Sequence, residues 1–85
     1  MPDLYPSARK HYYRDQLNDD AVLHAVAHVL HSRPLDDESD HRRWLMVGND
    51  PAGRLLELVF SLIYDDGHEV VIHAMKARPQ YLEEI

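Results

Sequence analysis

The segment RLLELVFSLIY, residues 54–64, decides the fold because its side chains alternate as they do in a β-strand. One face of this strand would carry an unbroken apolar row: Leu56, Leu58, Phe60 and Leu62. The opposite face is mixed and holds both apolar and polar side chains: Leu55, Glu57, Val59, Ser61 and Ile63. We therefore expect one face in the core and the other covered in part by the C-terminal segment, a second copy or another protein.

Turn-forming residues flank this segment on both sides. NDPAG, residues 49–53, separates it from a short β-compatible run at 42–48, and DDG, residues 65–67, separates it from a third run at 69–75. Consecutive strands joined by short turns usually pair in the antiparallel direction. The pattern therefore predicts a three-stranded antiparallel meander with residues 54–64 in the middle.

Helical signals occupy the first part of the chain. Ser7 is a candidate N-cap for a short helix that runs to about Asp15. Asn18 or Asp19 would begin a second helix, which Arg33-Pro34 would end because the residue before proline disfavours the helix. The apolar face of this second helix would comprise Val22, Val26, Val29 and Leu30.

These elements together predict an α+β fold in one domain spanning residues 1–85. Two N-terminal helices would pack on the meander, and QYLEEI, residues 80–85, would form a short C-terminal helix or tail. The acidic stretch at residues 35–41, LDDESDH, would be a polar loop.

Composition narrows the classes of function. The 85 residues include nine Lys and Arg against fifteen Asp and Glu, which gives a net charge of −6, with seven His and no Cys. This length excludes a two-domain enzyme, and the absence of Cys excludes disulfide scaffolds, thiol nucleophiles and Cys-based zinc sites. No apolar run is long enough to span a bilayer, and the N-terminus lacks the apolar core of a signal peptide. We expect a soluble cytoplasmic protein.

Two segments resemble a known family. AGRLLELVF, from residue 52, and HEVVIHAMKARPQYL, from residue 68, are similar to BrnT-like toxins of bacterial type II toxin–antitoxin systems, within the RelE/ParE-like ribonuclease superfamily. The resemblance covers about residues 8–82 and is strongest over residues 53–82; in the N-terminal half it is limited to helical character and the pair Lys10-His11. It implies helices packed on a small antiparallel sheet, cleavage of mRNA without a metal cofactor, growth arrest, and neutralisation by an antitoxin encoded beside the toxin.

The resemblance also implies which residues carry the reaction. The end of the third strand supplies His73, Lys76 and Arg78, and the start of the second supplies Arg54. Cleavage of RNA without a metal needs a base, an acid and cations for the phosphorane charge, and His, Lys and Arg provide these. Tyr81 is a candidate for stacking on a base. The alternative is that His73 is an ordinary packed strand residue and that Lys76 and Arg78 are solvated side chains at the end of the strand.

Antiparallel pairing predicts how the cationic residues are distributed over the sheet. The end of strand three lies beside the start of strand two, which would bring Arg54 near Lys76 and Arg78. Arg42 and Arg43, which the first strand would contribute, would lie at the opposite end of the sheet.

A stripe of histidines forms a second candidate site. His24, His28 and His31 would share one face of the second helix, and a carboxylate from residues 36–38 could complete a site for Zn²⁺ or a similar ion. The alternative, which we favour at this stage, is an ordinary polar helix face, because no Cys or His-Glu motif accompanies the stripe.

Three functions follow from the sequence, in order of preference. The first is a toxin with endoribonuclease activity that needs no cofactor, with RNA and an antitoxin as partners. The second is a non-enzymatic protein-interaction module of the same fold, which the acidic charge favours. The third is a metal-binding regulator that uses the histidine stripe. Assembly as a homodimer or as a toxin–antitoxin hetero-oligomer stays open at this stage.

Overall fold

A computed structural model describes residues 3–35, 43–63 and 68–85. The elements in chain order are β1 (Asp3–Leu4), a 3₁₀ helix (Pro6–Arg9), α1 (Tyr12–Asp15), α2 (Asp19–Ala27), β2 (Val29–Leu35), β3 (Arg43–Asn49), β4 (Leu55–Ile63), β5 (His68–Lys76) and α3 (Pro79–Leu82). No helix among these residues is long and apolar enough to cross a membrane. The expected acidic loop, apart from Leu35, and the whole DDG turn fall on residues 36–42 and 64–67, which lie outside the described residues.

The five strands form one mixed sheet in the order β1-β5-β4-β3-β2. Strands β2 to β5 are antiparallel neighbours, and β1 runs parallel to β5 by pairing Asp3 with Val70 and Leu4 with Val71. The α+β architecture therefore contains the expected meander as its centre. The prediction of a three-stranded antiparallel sheet with two N-terminal helices was nevertheless wrong, because a strand precedes the helices and another follows them.

The largest error concerns residues 29–32, which begin strand β2 instead of ending the second helix. Helix α2 begins at the predicted cap, where the Asn18 side chain accepts a hydrogen bond from the Ala21 N–H, but it ends at Ala27. Val29 and Leu30, predicted to be core residues of this helix, are exposed by 38% and 57%. Pairing of the backbone with β3 outweighs the weak helical spacing of these two side chains.

Gly48 explains why α2 can end directly against the sheet. A Cβ atom at this position would overlap the backbone carbonyl oxygen of Ala25 and lie 3.0 Å from that of His28. The missing side chain lets the last turn of α2 approach β3, after which Val29 pairs with Gly48 as the first residue of β2.

The first predicted helix is also divided. A 3₁₀ helix and the single-turn α1 replace it, and α1 ends at Gln16, which has a left-handed φ of 56°. The Leu17 side chain that follows is buried in the core with Ala21 and Val22 of α2. The left-handed residue turns the chain sharply enough for α1 and α2 to cover the same face of the sheet.

The helices cover the face of β4 that the alternation predicted. The core on this side includes Leu56, Leu58 and Phe60 with residues of the helices and β5: Ala8, Leu17, Ala21, Val22, Ala25, Val71 and Ala74. The side chain of Leu62, predicted for the same row, lies outside the described residues.

The opposite face of the sheet is also buried in its central part. Leu45, Val47 and Glu57 are all exposed by 1% or less on this face. Residues of the C-terminal segment bind here, because Arg78 pairs with Glu57 and the Glu84 carboxylate accepts hydrogen bonds from Arg33 of β2. The C-terminal segment therefore supplies at least part of the cover that the mixed face required.

Replacing Gly48 with Ala should destabilise the fold. The added methyl group overlaps backbone atoms of α2, which cannot rotate away, so we expect a loss of about 1–3 kcal/mol in the free energy of unfolding. Urea denaturation followed by circular dichroism measures this loss. Gly53→Ala is the comparison: it has φ +87° but no neighbour within 4 Å, and backbone strain alone should cost only about 1 kcal/mol. A Gly48→Ala protein as stable as the wild type would contradict the proposed close approach.

Candidate functional site

A buried carboxylate organises the side of the sheet that faces away from the helices. Glu57 is the third residue of β4 and is only 1% exposed. Its Oε1 accepts hydrogen bonds from the Arg78 backbone N–H at 3.0 Å and from Arg78 Nε at 2.9 Å. Its Oε2 lies 2.9 Å from Arg78 Nη2, which donates to it, and 3.1 Å from His73 Nε2. Four hydrogen bonds from two residues therefore converge on one carboxylate.

This arrangement keeps Glu57 ionised. Burial by itself raises the pKa of a carboxyl group, but the hydrogen bonds from His73 and Arg78 favour the charged form and outweigh burial. The pKa of Glu57 consequently falls from 4.5 to about 2. At neutral pH the site holds a fixed negative charge that only accepts hydrogen bonds.

The register of the sheet brings His73 to this carboxylate. Val59 of β4 pairs with His73 and Phe60 pairs with Val71, so Ile72 has no partner and forms a β-bulge. A bulge reverses the side-chain alternation at one point of a strand. It lets Val71 face the helices while His73, two residues later, faces Glu57.

Arg78 reaches the same carboxylate from beyond the end of β5. The Ala77 N–H donates to the Leu55 carbonyl at 2.9 Å, which keeps the chain on the sheet for one residue after the strand. Pro79 then begins α3 and fixes the direction of the chain at Arg78. The Arg78 guanidinium carbon also lies 5.3 Å from the centre of the Tyr81 ring, as a cation–π contact.

His11, just before α1, adds a second imidazole. Its ring meets the His73 ring edge to face, with 5.9 Å between the ring centroids and 78° between the planes. Loss of solvent, followed by the positive charges of Arg14, His73 and Lys10, lowers the pKa of His11, while Asp15 acts in the opposite direction. Two titratable groups therefore lie side by side at the end of β5.

A cavity of about 290 Å³ opens beside these groups. Its lining comprises Leu35, Arg43, Glu57, Val59, Ile72, His73, Arg78 and Tyr81. Three of the predicted site residues, His73, Arg78 and Tyr81, thus share one cavity. Arg43, which the simple meander placed at the opposite end of the sheet, is also in its wall, whereas Arg42 lies outside the described residues.

Arg54 does not join this cluster through its guanidinium group. Its Nε donates to the buried Asp50 carboxylate at 2.8 Å, and its Nη1 and Nη2 donate to the backbone carbonyls of Asp15 and Gln16 at 2.7 and 3.1 Å. Arg54 thereby ties the turn between β3 and β4 to the end of α1. In this structure the hydrogen bonds of Arg54 stabilise the fold.

Lys76 is the last residue of β5, and its side chain is exposed. Its N–H donates to the Asp15 carboxylate at 3.0 Å. This bond ties the end of β5, the strand that also carries His73, to the end of α1.

The predicted histidine stripe does not exist as one helix face. His24 and His28 belong to the end of α2, but His31 lies in β2, where its Nε2 is 3.1 Å from Glu84 Oε1. Residues 36–38, proposed as a completing carboxylate, lie outside the described residues. Within the described ranges, no group of three or more His, Cys, Asp or Glu side chains is arranged to hold a metal ion.

Two residues of the site were not among the predicted site residues. Glu57 carried a signal, since it is a single acidic residue in an otherwise apolar strand, but its partners depend on the bulge in β5 and on the path of the C-terminal segment. His11 was visible only as part of a Lys-His pair. Its contact with His73 depends on the packing of α1 against β5, which local patterns do not encode.

Comparison with known proteins does not assign this chain to a family, because no family model and no curated protein matches it.

Replacing Glu57 with Gln should weaken the fold in a pH-dependent way. Because the folded pKa lies below the ordinary 4.5, Glu57 stabilises the wild type above about pH 4.5 and loses this contribution as pH falls toward 2. The shift corresponds to about 3 kcal/mol at neutral pH. We expect Glu57→Gln to lose stability of that order at pH 7 and to show a shallower decline at acidic pH, measured by urea unfolding from pH 7 to 2.

The exposed Glu83 provides the matched control for this experiment. Glu83→Gln should retain both the stability at pH 7 and the acid-dependent slope. Glu84, whose pKa is also about 2, leaves part of that slope in every variant. Equal pH profiles for Glu57→Gln and the wild type would show that the carboxylate is not held as described.

Replacing Arg14 with Gln should raise the pKa of His11. Arg14 is the first of the charges that oppose protonation of this imidazole, so its removal favours the imidazolium form. Titration of the His11 ring signals by NMR measures the change. Arg9→Gln, which removes a guanidinium group paired with Asp19, is the control and should leave His11 unaffected. An unchanged His11 midpoint in Arg14→Gln would mean that Arg14 does not act on this ring.

Proposed function

We propose that this protein is a toxin-class endoribonuclease that cleaves mRNA in the cytoplasm without a metal and is neutralised by a partner antitoxin. The observation that carries the proposal is the pair of adjoining imidazoles, His11 and His73, with His73 bonded to the buried Glu57 carboxylate. Transphosphorylation of RNA requires a base and an acid beside the phosphate, and two imidazoles next to a cavity and exposed cations can supply them. The resemblance of residues 53–82 to BrnT-like toxins supports the same assignment.

His73 suits the role of general base. The ionised Glu57 oxygen can only accept, so neutral His73 donates its Nε2–H to Glu57 and keeps a lone pair on Nδ1. In the proposed reaction Nδ1 takes the proton of the ribose 2′-hydroxyl as the 2′-oxygen attacks the adjacent phosphorus. The Glu57 charge then stabilises the imidazolium that forms, as a carboxylate does in other carboxylate–histidine pairs.

His11 is placed for the role of general acid: its lowered pKa makes the imidazolium a stronger proton donor, although less of that form is present at neutral pH. Its ring touches that of His73, so a phosphate placed beside one imidazole is also near the other. In the proposed step a protonated His11 gives its proton to the 5′-oxygen as the bond between phosphorus and that oxygen breaks. The products are a 2′,3′-cyclic phosphate and a free 5′-hydroxyl, and the two histidines have exchanged protonation states.

The remaining residues of the site would bind different parts of the RNA or hold the catalytic groups in place. Lys10 directly precedes His11, and Lys76 lies three residues after His73 on β5; both are exposed and would supply positive charge for the phosphate. Arg78 is bound to Glu57, so its first task is to hold that carboxylate in place, although its side chain remains 47% exposed. Tyr81 lines the adjoining cavity and offers a ring face for a nucleobase.

A second candidate is a protein-interaction module without catalysis. An apolar cavity of about 290 Å³ on the helix side of the sheet favours it, lined by Ser32, Trp44, Met46, Phe60 and Glu69. Half-buried Trp44 and Met46 are residue types enriched in interface cores. If the protein is a ribonuclease toxin, this surface is where the antitoxin would bind. If it is an interaction module, binding of a protein partner to this surface would be its whole activity.

Cleavage of RNA by the purified chain, prepared free of any antitoxin and in the presence of a chelator, tests the proposal. We expect a 2′,3′-cyclic phosphate end and a loss of about 10²–10⁴-fold in rate for His73→Ala, because the base is removed. His31→Gln is the control, since this histidine bonds to Glu84 and should leave the rate unchanged. Intact RNA after incubation with folded wild-type protein would overturn the ribonuclease assignment.

Growth of expressing cells separates the two candidates. The double variant His73→Ala, Lys76→Ala should no longer slow growth if the protein acts as a ribonuclease. Growth arrest that persists in this variant at equal protein levels would instead favour the interaction module.

A further inference from the structure

Asp15, the last residue of α1, connects the segments that carry the two histidines of the candidate site. Its backbone N–H donates to the His11 carbonyl oxygen at 3.0 Å. Its Oδ2 accepts a hydrogen bond at 3.0 Å from the N–H of Lys76, which lies three residues after His73 on β5. Its own carbonyl oxygen accepts a hydrogen bond from Arg54 Nη1 at 2.7 Å. One residue therefore bonds to the segment of His11, to the strand of His73 and to the residue that precedes β4.

The position of α1 depends on contacts outside this helix. The helix is a single turn of four residues, and none of the four is fully buried. A single turn is not stable by itself in water, because the first hydrogen bonds do not compensate for the loss of backbone freedom. Contacts with neighbouring elements must therefore hold α1, and with it His11 at its N-cap, against β5.

Both groups that bind Asp15 have fixed positions of their own. Lys76 pairs with Leu56 of β4, so the sheet sets the position of its N–H. Arg54 is bound at its Nε by the carboxylate of Asp50, which is 2% exposed, with 2.8 Å between the atoms. The Asp15 side chain is itself only 10% exposed, so water competes little for its hydrogen bonds.

We propose that Asp15 is a positioning residue of the candidate site, and that its hydrogen bonds hold the His11 ring against the His73 ring. This inference rests on the proposed ribonuclease, in which both rings act on one phosphate. The chain between the bonds and the rings is short, because Asp15 is four residues from His11 and Lys76 is three residues from His73. A displacement of about 1 Å at a catalytic group can lower a rate by about 10²-fold, so a bond this close to both rings matters for the reaction.

Asp15 has no direct part in the proposed proton transfers. Its Oδ2 is bound by the Lys76 N–H, and its Oδ1 accepts a hydrogen bond from Arg14 Nε at 3.0 Å. Its effect on the reaction is therefore exerted through the backbone of the residues that it binds.

Replacing Asp15 with Ala and, in a separate variant, with Asn tests the inference by NMR. Alanine removes the acceptor of the Lys76 N–H, whereas asparagine keeps one side-chain oxygen that can accept it. The wild type should show nuclear Overhauser effects between the His11 and His73 rings, whose centroids are 5.9 Å apart. We expect these signals to be lost in Asp15→Ala and to persist in Asp15→Asn.

Kinetics of RNA cleavage give the second measurement. Asp15→Ala should lower kcat by about 10- to 100-fold and leave KM within about twofold, because the rings are displaced while the exposed lysines still provide charge for the RNA. Asp15→Asn should recover most of the lost rate. The charge of Asp15 raises the pKa of His11, so each variant is compared at its own pH optimum. Asp20→Asn, which removes an exposed carboxylate in the first turn of α2, is the matched control and should leave both measurements unchanged.

Circular dichroism checks that each variant is folded. A folded Asp15→Ala that keeps the ring signals and the wild-type kcat would overturn the proposal. Loss of the ring signals in a folded Asp15→Asn would equally overturn it, because the effect would then belong to the charge and not to the hydrogen bond. The NMR measurement needs no RNA, so a wild type that leaves RNA intact would reject the ribonuclease while the ring signals still decide whether Asp15 holds His11 in place.

Discussion

The pairing of the buried Glu57 carboxylate with Arg78 and His73 is the interaction on which this side of the molecule depends. A carboxylate in the middle strand of a sheet is costly to bury unless its charge and its lone pairs are satisfied. Here the partners come from β5 and from the residue that precedes α3, so the requirement to satisfy one charge fixes the direction in which the chain leaves the sheet. The candidate catalytic histidine is oriented by the same hydrogen bonds.

A second ionic contact completes the attachment of the C-terminal segment. Glu84 accepts hydrogen bonds from Arg33 and lies 3.1 Å from His31 Nε2, which connects the last residues of the chain to the edge strand β2. Arg78 and Glu84 therefore bind opposite ends of the segment to different strands. Between these two points Tyr81 lines the cavity beside His73, so the segment that covers the sheet also shapes the candidate site.

The sequence predicted those parts of the fold that depend on local alternation and turns. The meander from β3 to β5 lies within one or two residues of its expected bounds, and the apolar row of β4 faces the helices where it is described. Residues 29–32 were assigned to a helix because Val29 and Leu30 extend a helical spacing by chance. The deciding contacts are pairing with β3 and the approach of α2 to Gly48, and they join positions 8 to 23 residues apart in the sequence.

The candidate site was likewise predicted only where local sequence order determines which residues lie together. His73, Arg78 and Tyr81 could be grouped in advance because they follow one another at a strand end. Strand pairing also predicted that Arg54 would lie near Lys76 and Arg78. Its guanidinium group is instead bound by Asp50 and by carbonyl groups at the end of α1. Strand register predicts where a Cα atom lies, whereas the direction of a long side chain depends on which acceptor is closest.

The distribution of charge shows how an acidic chain can still present cations to a phosphate. Five arginines pair with carboxylates inside the described structure: Arg9 with Asp19, Arg14 with Asp15, Arg33 with Glu84, Arg54 with Asp50 and Arg78 with Glu57. These pairs neutralise each other locally, so the net charge of −6 describes the molecule as a whole and not the surface near His73. The two lysines of the chain, Lys10 and Lys76, lie next to His11 and on the same strand as His73. A ribonuclease of this design would hold RNA through few phosphate contacts, and its affinity would therefore depend only weakly on salt compared with that of a basic nucleic-acid-binding protein.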